Sequence, residues 1–401
     1  MTPAKRHRDE RLRVLHLDHS SEAGGAELAL RRMLAAGPDW IPLVLTPPPG
    51  DADAFAGLRA RRTAGVRQSA GVSGGRVGTL AAAGAALAVQ TAATRLHPAF
   101  RTADIVDANT TRAALYAALA VRTRRVPFVV HLRDTVDPDT LGEVGCAAMG
   151  RLVLPVADGV IANSRATLAT ASPYLRAGTV TEVIPSASGL WRGRPAAAHE
   201  SLRVEGLRIG MLARIDPWKG QELLLDAVAQ VVAERPGRDI RLQFAGGAPF
   251  GHEDFVGRLR SRAVERGLGG RVDFLGHVDD VPSLLAGWDI AVQYSTRPEP
   301  LGQNVLQYLA AGKTVVVADE GGPVDWVVDD VNGVRVAPRD AGVLARALGA
   351  LVDDPPRRAR LAAAAAQTPG LLDDAAVARA HAEFYRRVAR TREVRAARGR
   401  G

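Results

Sequence analysis

The sequence predicts an α/β protein of two doubly wound domains, each built on a largely parallel sheet. Three observations carry this. The chain has 401 residues, the length of two or three domains. Short apolar runs alternate with helix-period stretches throughout, the pattern of parallel strands joined by crossover helices. The alternation stops after Pro185, over residues 186–206, a stretch rich in Ser, Gly, Pro and Ala, and then resumes.

In the first run, strands are expected at 13–17, 41–45, 104–107, 127–131 and 159–162, each a short apolar run. Helical periodicity falls at 26–34, 111–121 and 164–171. Residues 63–78 combine Gly, Ser and Arg without a period and read as a mobile loop. In the second run, strands are expected at 207–211, 240–245, 272–275, 290–293, 314–318 and 333–336. Helices are expected at 220–234, 251–267, 280–287, 303–311 and 340–352, and a last helical pattern at 375–388 follows the completed second domain. The boundaries read from this are a first domain over 1–186, a linker over 187–206, a second domain over 207–370, and a final helix with a basic tail over 371–401. Ligands of such sheets sit beyond the carboxyl ends of the strands, so two facing domains would form a cleft.

Composition narrows the function classes. Hydrophobic residues at 47% and charged residues at 24% are globular proportions. No run of 18 apolar residues exists and the first thirteen residues lack an apolar core, so neither a spanning helix nor a secretory signal is expected. The single cysteine, Cys146, excludes an intrachain disulfide and fits a reducing, cytoplasmic setting. The net charge of +9 sits in the tails: residues 1–13 contribute +3 and residues 385–401 contribute +6, leaving the body neutral. Such tails read as solvated ends rather than a nucleic-acid surface, and weak peripheral attraction to anionic lipid headgroups fits them better.

Three segments carry chemistry. In Arg297-Pro-Glu-Pro-Leu-Gly-Gln-Asn-Val-Leu-Gln-Tyr-Leu-Ala-Ala-Gly312, a turn presents Glu299 just before a helix that starts near Gln303. The free N–H groups of a first helical turn form an anion site, Gly302 admits close approach, and Glu299 could accept hydrogen bonds from hydroxyls. A phosphate with a polyol attached would satisfy both halves, although a plain solvated turn has the same spacing. In Gly210-Met-Leu-Ala-Arg-Ile-Asp-Pro-Trp-Lys-Gly220, a strand runs into a loop carrying Arg214 and Lys219. Two such cations can grip a diphosphate, or can pair with Asp216 or Glu222. Ser20-Ser-Glu-Ala-Gly-Gly-Ala-Glu27 resembles a phosphate-cradling turn but lacks the dinucleotide fingerprint. Gly312-Lys-Thr314 is not a P-loop, since it follows a helix instead of opening one. His16 and His19 form a poor metal pair, while His131 closes an apolar strand where it could meet a substrate or serve the core.

In their order along the chain, these segments resemble the retaining glycosyltransferases of the GT-B fold, specifically glycosyltransferase family 4. Ala213-Arg-Ile-Asp-Pro-Trp-Lys-Gly220, Phe274-Leu-Gly276, Asp280-Val-Pro282, the spacing of Glu299 to Gln307, Gly321-Gly-Pro323 and Asn332-Gly333 carry the likeness, with Gly-Gly-Ala-Glu27 and His131 ahead of them. The resemblance implies two Rossmann-like domains facing across a cleft and transfer of a sugar from a nucleotide-sugar donor to a hydroxyl acceptor, a saccharide, lipid-linked glycan or natural product. Arg214 and Lys219 would hold the donor diphosphate and Glu299 a sugar hydroxyl, with Pro300, Leu301, Gly302 and Gln303 forming the donor turn. The backbone near Leu275 would touch the nucleobase, Gln307 the ribose, and Gly24 and Gly25 the phosphates or acceptor. His131 would line the sugar–acceptor pocket. A donor phosphate oxygen would take the acceptor proton, and neither a metal nor a cofactor is expected, because cationic side chains do a metal's work.

The chain departs from the family pattern at several points. Gln307 stands in place of the usual second Glu, Ile184-Pro-Ser-Ala187 in place of Ile-Pro-Asn-Gly, Asn109 where a His is common, and His131-Leu-Arg-Asp134 where His-Asp is usual. A nucleotide-sugar epimerase and a non-catalytic nucleotide-sugar or glycan-binding relative are the alternative readings.

Overall fold

The structure, a computed structural model, describes residues 11–22, 24–49, 53–66, 77–124, 126–190, 206–248 and 252–398. The start of the basic N-terminal stretch, residues 67–76 of the expected loop and residues 191–205 of the expected linker lie outside the described residues. The chain divides into two compact units, Met1–Ser186 with Asp374–Gly401, and Ala187–Asp373.

The first unit runs β1 (Arg13–Leu17), α1 (Gly25–Ala35), β2 (Ile41–Thr46), β3 (Arg61–Thr63), α2 (Val77–Leu96), α3 (Pro98–Thr102), β4 (Ile105–Ala108), α4 (Thr111–Val121), β5 (Phe128–Leu132), α5 (Pro138–Ala148), β6 (Gly159–Ala162), α6 (Arg165–Ala171) and β7 (Val180–Val183). Among the described residues its seven strands are parallel in the order β3-β2-β1-β4-β5-β6-β7. Strands β4, β5 and β6 are buried along their whole length, which is why they read as continuous apolar runs rather than alternating ones. Helix α4 buries Ala113, Ala114, Ala117, Ala118 and Ala120, small residues that permit close packing between the sheet and α2.

The second unit runs β8 (Leu207–Leu212), α7 (Gln221–Glu234), β9 (Ile240–Ala245), α8 (Glu253–Glu265), β10 (Val272–Gly276), α9 (Val281–Ala286), β11 (Ile290–Gln293), α10 (Gln303–Ala310), β12 (Thr314–Ala318), β13 (Val334–Val336), α11 (Ala341–Asp353) and α12 (Pro355–Ala366). Its six described strands are also parallel, ordered β10-β9-β8-β11-β12-β13. In each sheet the winding direction reverses beside the first strand, between β1 and β4 and between β8 and β11. Loops leaving neighbouring strands diverge there, and that is where doubly wound sheets bind ligands.

The last helix, α13 (Asp374–Arg398), packs on α1 and β7 of the first unit. Phe384 and Val388 press on Gly159 so closely that a Cβ there would lie 2.7 Å from Val388. Arg386, Arg387 and Arg392 pair with Asp39, Glu182 and Asp158. The expected solvated tail over 385–401 is therefore corrected. Its described part continues α13 to Arg398, and three of its arginines are tied to carboxylates of the first unit. The expected loop over 63–78 is also shorter than read, since β3 ends at Thr63 and α2 begins at Val77. Among the described residues, no helix is long and apolar enough to cross a membrane.

Candidate functional site

In the second unit, two loops meet at the switch point. The loop after β8 closes in one tight turn, Pro217–Lys219, with the Asp216 carboxylate accepting from the Trp218 N–H at 3.3 Å. Gly220 follows at φ +81°, where a Cβ would lie 1.9 Å from the Tyr294 carbonyl oxygen, so only glycine lets this loop rest on the exit of β11. The Thr296 N–H donates to the Trp218 carbonyl at 2.7 Å and locks the two loops together. Lys219 Nζ thereby reaches Glu299 Oε1 at 2.6 Å and stands 3.8 Å from the centroid of the Trp218 ring. Arg214 leaves the same β8 loop with its side chain exposed, its carbonyl accepting from Gln221 Nε2 at 2.8 Å.

Glu299 is buried, and Ser295 Oγ donates to the same Oε1 at 2.6 Å. Gly321 and Gly322 back its turn: Cβ atoms there would lie 2.6 Å from the Glu299 carbonyl oxygen and 2.5 Å from that of Pro300. Pro300 and Leu301 lead to Gly302, which precedes α10 in a left-handed conformation and brings no capping side chain, while Asn304 Oδ1 accepts from the Val305 N–H at 3.0 Å and leaves those of Gln303 and Asn304 foremost. Its first N–H groups and its dipole thus offer an anion site beside the Lys219–Glu299 pair. Gln303 turns its side chain to the Ala187 carbonyl at 2.7 Å, and Gln307 lies half-buried one turn further along α10. Leu275 is partly exposed near the carboxyl end of β10, an edge strand separated from β8 by β9.

The first unit gathers a second polar cluster past β1, β4 and β5. Asn109 Nδ2 donates to Asp18 Oδ2 at 2.6 Å, and Asn109 Oδ1 accepts from Arg133 Nη2 at 2.7 Å. Gly24 and Gly25 begin α1, but Glu27 Oε2 folds back to 2.3 Å from where a Gly24 Cβ would stand. A Cβ at Gly25, by contrast, would meet nothing within 4 Å. Burial, and then the neighbouring Asp18, push the Glu27 carboxyl up to about 8. Ligand-type atoms of Asp18, His19 and Glu27 lie within 4.8 Å of one another, a donor set that could hold a divalent cation. His131 is buried, with its ring centroid 5.4 Å from that of His381, and its Nε2 has no partner among the described residues. Burial, then Arg133, hold its imidazole well below the usual range, so it serves as a neutral hydrogen-bonding group. Of the expected site residues, Gly24, Gly25 and His131 belong to the first unit. Arg214, Lys219, Leu275, Glu299, Pro300, Leu301, Gly302, Gln303 and Gln307 belong to the second.

Residues 197–368, which hold the Lys219–Glu299 pair and α10, match the family model described as glycosyl transferases group 1. The two-unit architecture is the GT-B fold. Over 94% of this chain and 99% of its own, Anabaena HepE, solved in complex with UDP and glucose, superposes with a TM-score of 0.74 at 28% identity. The sucrose-phosphate synthase of Thermosynechococcus elongatus gives 0.76 over 94% of this chain, and at 21% identity that likeness is one of fold. Among curated relatives, a D-inositol 3-phosphate glycosyltransferase of Jonesia denitrificans is 33% identical over 155 residues, 37% of this chain and 36% of the relative. A second protein of that name, from Catenulispora acidiphila, is 31% identical over 253 residues, 59% of this chain and 57% of the relative. The matched segments thus span between about a third and somewhat over half of these relatives' lengths.

Sequence reasoning passed over several residues of this group 1 segment and of the first-unit cluster. Ser295 carried a signal, as a hydroxyl four positions before Glu299 at a strand exit. Asp18 and Arg133 stand, as His131 does, at the ends of apolar runs. Trp218 carried none, because its role depends on the turn that Gly220 permits.

Proposed function

We propose that this protein is a retaining glycosyltransferase that moves a sugar from a nucleotide-sugar donor to a hydroxyl acceptor in the cytoplasm. The observation that carries this reading is the Lys219–Glu299 pair at 2.6 Å beside the start of α10, whose N-cap is Gly302. It sets a cation, an anion-binding helix end and a hydroxyl acceptor at one switch point. Arg214 and Lys219 bind the donor diphosphate and stabilise charge as it develops on the leaving group. Glu299 accepts a hydrogen bond from a sugar hydroxyl, while the turn from Pro300 to Gln303 offers its N–H groups. Leu275 lies against the base and Gln307 against the ribose. Gly24, Gly25 and His131 serve the acceptor within the first unit. A donor phosphate oxygen takes the acceptor proton, so no side-chain base, metal or cofactor is required for transfer. Basic residues of the two tails, apart from the ion-paired Arg386, Arg387 and Arg392, add weak contact with anionic lipid.

The test is thermal stability with a panel of nucleoside diphosphates, beside the Arg214→Ala, Lys219→Ala double variant. UDP is the first to try, since Anabaena HepE was solved with it at 28% identity. A ligand at about 100 times its Kd stabilises by about 2.7 kcal/mol, a shift of several degrees. A shift that one diphosphate produces and the double variant lacks supports the donor site; no shift with any of them counts against it. NMR assignment of the product anomer tests retention.

A further inference from the structure

The Lys219–Glu299 pair is gripped from both ends by side chains with no assigned part in the reaction. On the lysine side, the ammonium lies 3.8 Å from the Trp218 ring centroid. The Trp218 backbone cannot drift, because its carbonyl accepts from both the N–H and the hydroxyl of Thr296, at 2.7 and 3.2 Å. On the carboxylate side, Ser295 Oγ donates to Glu299 Oε1 at 2.6 Å and itself accepts from Gln293 Nε2 at 3.0 Å. Ser295 is 2% exposed and Gln293 3%, so neither bond competes with water.

An ammonium has three N–H groups; one is spent on Oε1, and the ring face fills a second direction. Glu299 Oε1 accepts from Lys219 and Ser295, while Oε2 takes no hydrogen bond among the described residues. One cationic donor and one anionic acceptor are therefore presented side by side. That pairing suits a ligand with a phosphate oxygen and a hydroxyl at neighbouring positions.

We propose that Trp218, and the Ser295–Gln293 pair, are positioning residues: the ring fixes where Lys219 meets a diphosphate oxygen, and the buried hydroxyl fixes which Glu299 oxygen meets a sugar hydroxyl. This rests on the donor-site reading above. Free of the ring, the four-carbon lysine stem would spread over many rotamers. Free of Ser295, the carboxylate would turn both oxygens toward the lysine and lose its aimed acceptor.

The test uses the full chain, with calorimetric Kd values for UDP, GDP, UDP-glucose and GDP-mannose. Trp218→Phe, which keeps a π face, should hold diphosphate affinity within about threefold, and Trp218→Leu should weaken it by about tenfold. Ser295→Ala should leave the bare diphosphate within about twofold yet weaken the matching nucleotide sugar by about tenfold, because only the sugar uses the aimed oxygen. A merely structural serine would move both ligands together. Removing a single oxygen atom, the serine variant keeps the test decisive if Trp218→Leu loses stability. If wild type binds and the two tryptophan variants behave alike, or Ser295→Ala shifts both ligands equally or neither, the positioning proposal falls alone. If wild type binds none of the four, the donor-site reading falls and takes this proposal with it.

Discussion

Tyr385 and Asp107, 278 positions apart in sequence, meet inside the first unit, where the phenol donates to the carboxylate Oδ2 at 2.9 Å. The same oxygen is 2.8 Å from His16 Nδ1, and Trp40 Nε1 donates to the other nitrogen of that ring at 3.1 Å. Tyr385→Phe keeps the ring and removes one of the partners of a buried carboxylate whose Oδ1 already has none among the described residues. It should cost about 2 kcal/mol in denaturant unfolding, with no change in nucleotide affinity.

Two buried groups give stability opposite pH slopes. Glu27 is raised from 4.5 to about 8 by burial and Asp18, so the folded protein keeps a proton that the unfolded chain releases. Its contribution is full below about 4.5 and is lost as pH rises through 8. His381 is lowered from 6.5 to about 4 by burial, so its contribution is full above 6.5 and is lost as pH falls toward 4. The two slopes cancel between about pH 4.5 and 6.5, and unfolding free energy should then fall between 6.5 and 8 at roughly 1.4 kcal/mol per pH unit where steepest, read as a falling Tm. Glu27→Gln should flatten that limb, and His381→Gln should extend it down to about pH 4.5. An unchanged alkaline limb in Glu27→Gln would assign the slope to another group.

Gly220→Ala forces a Cβ toward the Tyr294 carbonyl at a φ of +81°. The loop carrying Lys219 must lift from β11, so we expect a loss of about 2 kcal/mol or more in unfolding free energy. Diphosphate binding should weaken with it, since the lysine leaves Glu299. Wild-type affinity in this variant would show that the loop's seat is dispensable.

Gln307→Glu places a carboxylate on the half-buried face of α10. If that face meets the ribose, charge-assisted hydrogen bonds should tighten nucleoside diphosphate binding by about tenfold. Calorimetry with UDP and GDP checks it, and an unchanged Kd would take position 307 out of the nucleotide site.

On the proposed donor site, EDTA should leave sugar transfer unchanged, because Arg214 and Lys219 would supply the positive charge. Loss of activity on chelation would direct attention to Asp18, His19 and Glu27, whose ligand-type atoms lie within 4.8 Å of one another.

Most of the fold was legible because fully buried parallel strands leave apolar runs and crossover helices leave a 3.6 period. Runs such as 240–245 and 314–318 match β9 and β12 to the residue. What escaped notice was weakly patterned. Strand β3, Arg-Arg-Thr, is polar and pairs with β2 alone, and β7 is an edge strand with Glu182 in it. Helix α2 is so rich in Ala and Gly that it shows almost no polar face. At the site, residue types were readable but pairings were not. Nothing at Lys219 announces a carboxylate 80 positions later, and nothing at Gly24 announces that Glu27 will occupy the space beside it.

The first unit is completed by α13, the last described helix, while the second unit occupies one uninterrupted stretch of chain. During synthesis, residues 1–186 leave the ribosome long before Phe384, Tyr385 and Val388 exist. Until then the surface around Gly159 is bare and Asp107 lacks its phenol. The second unit, by contrast, has all its strands in hand once residue 373 has emerged. The half made first should therefore finish folding last, and a ribosome stalled before residue 374 would display an exposed apolar strip for chaperones to cover.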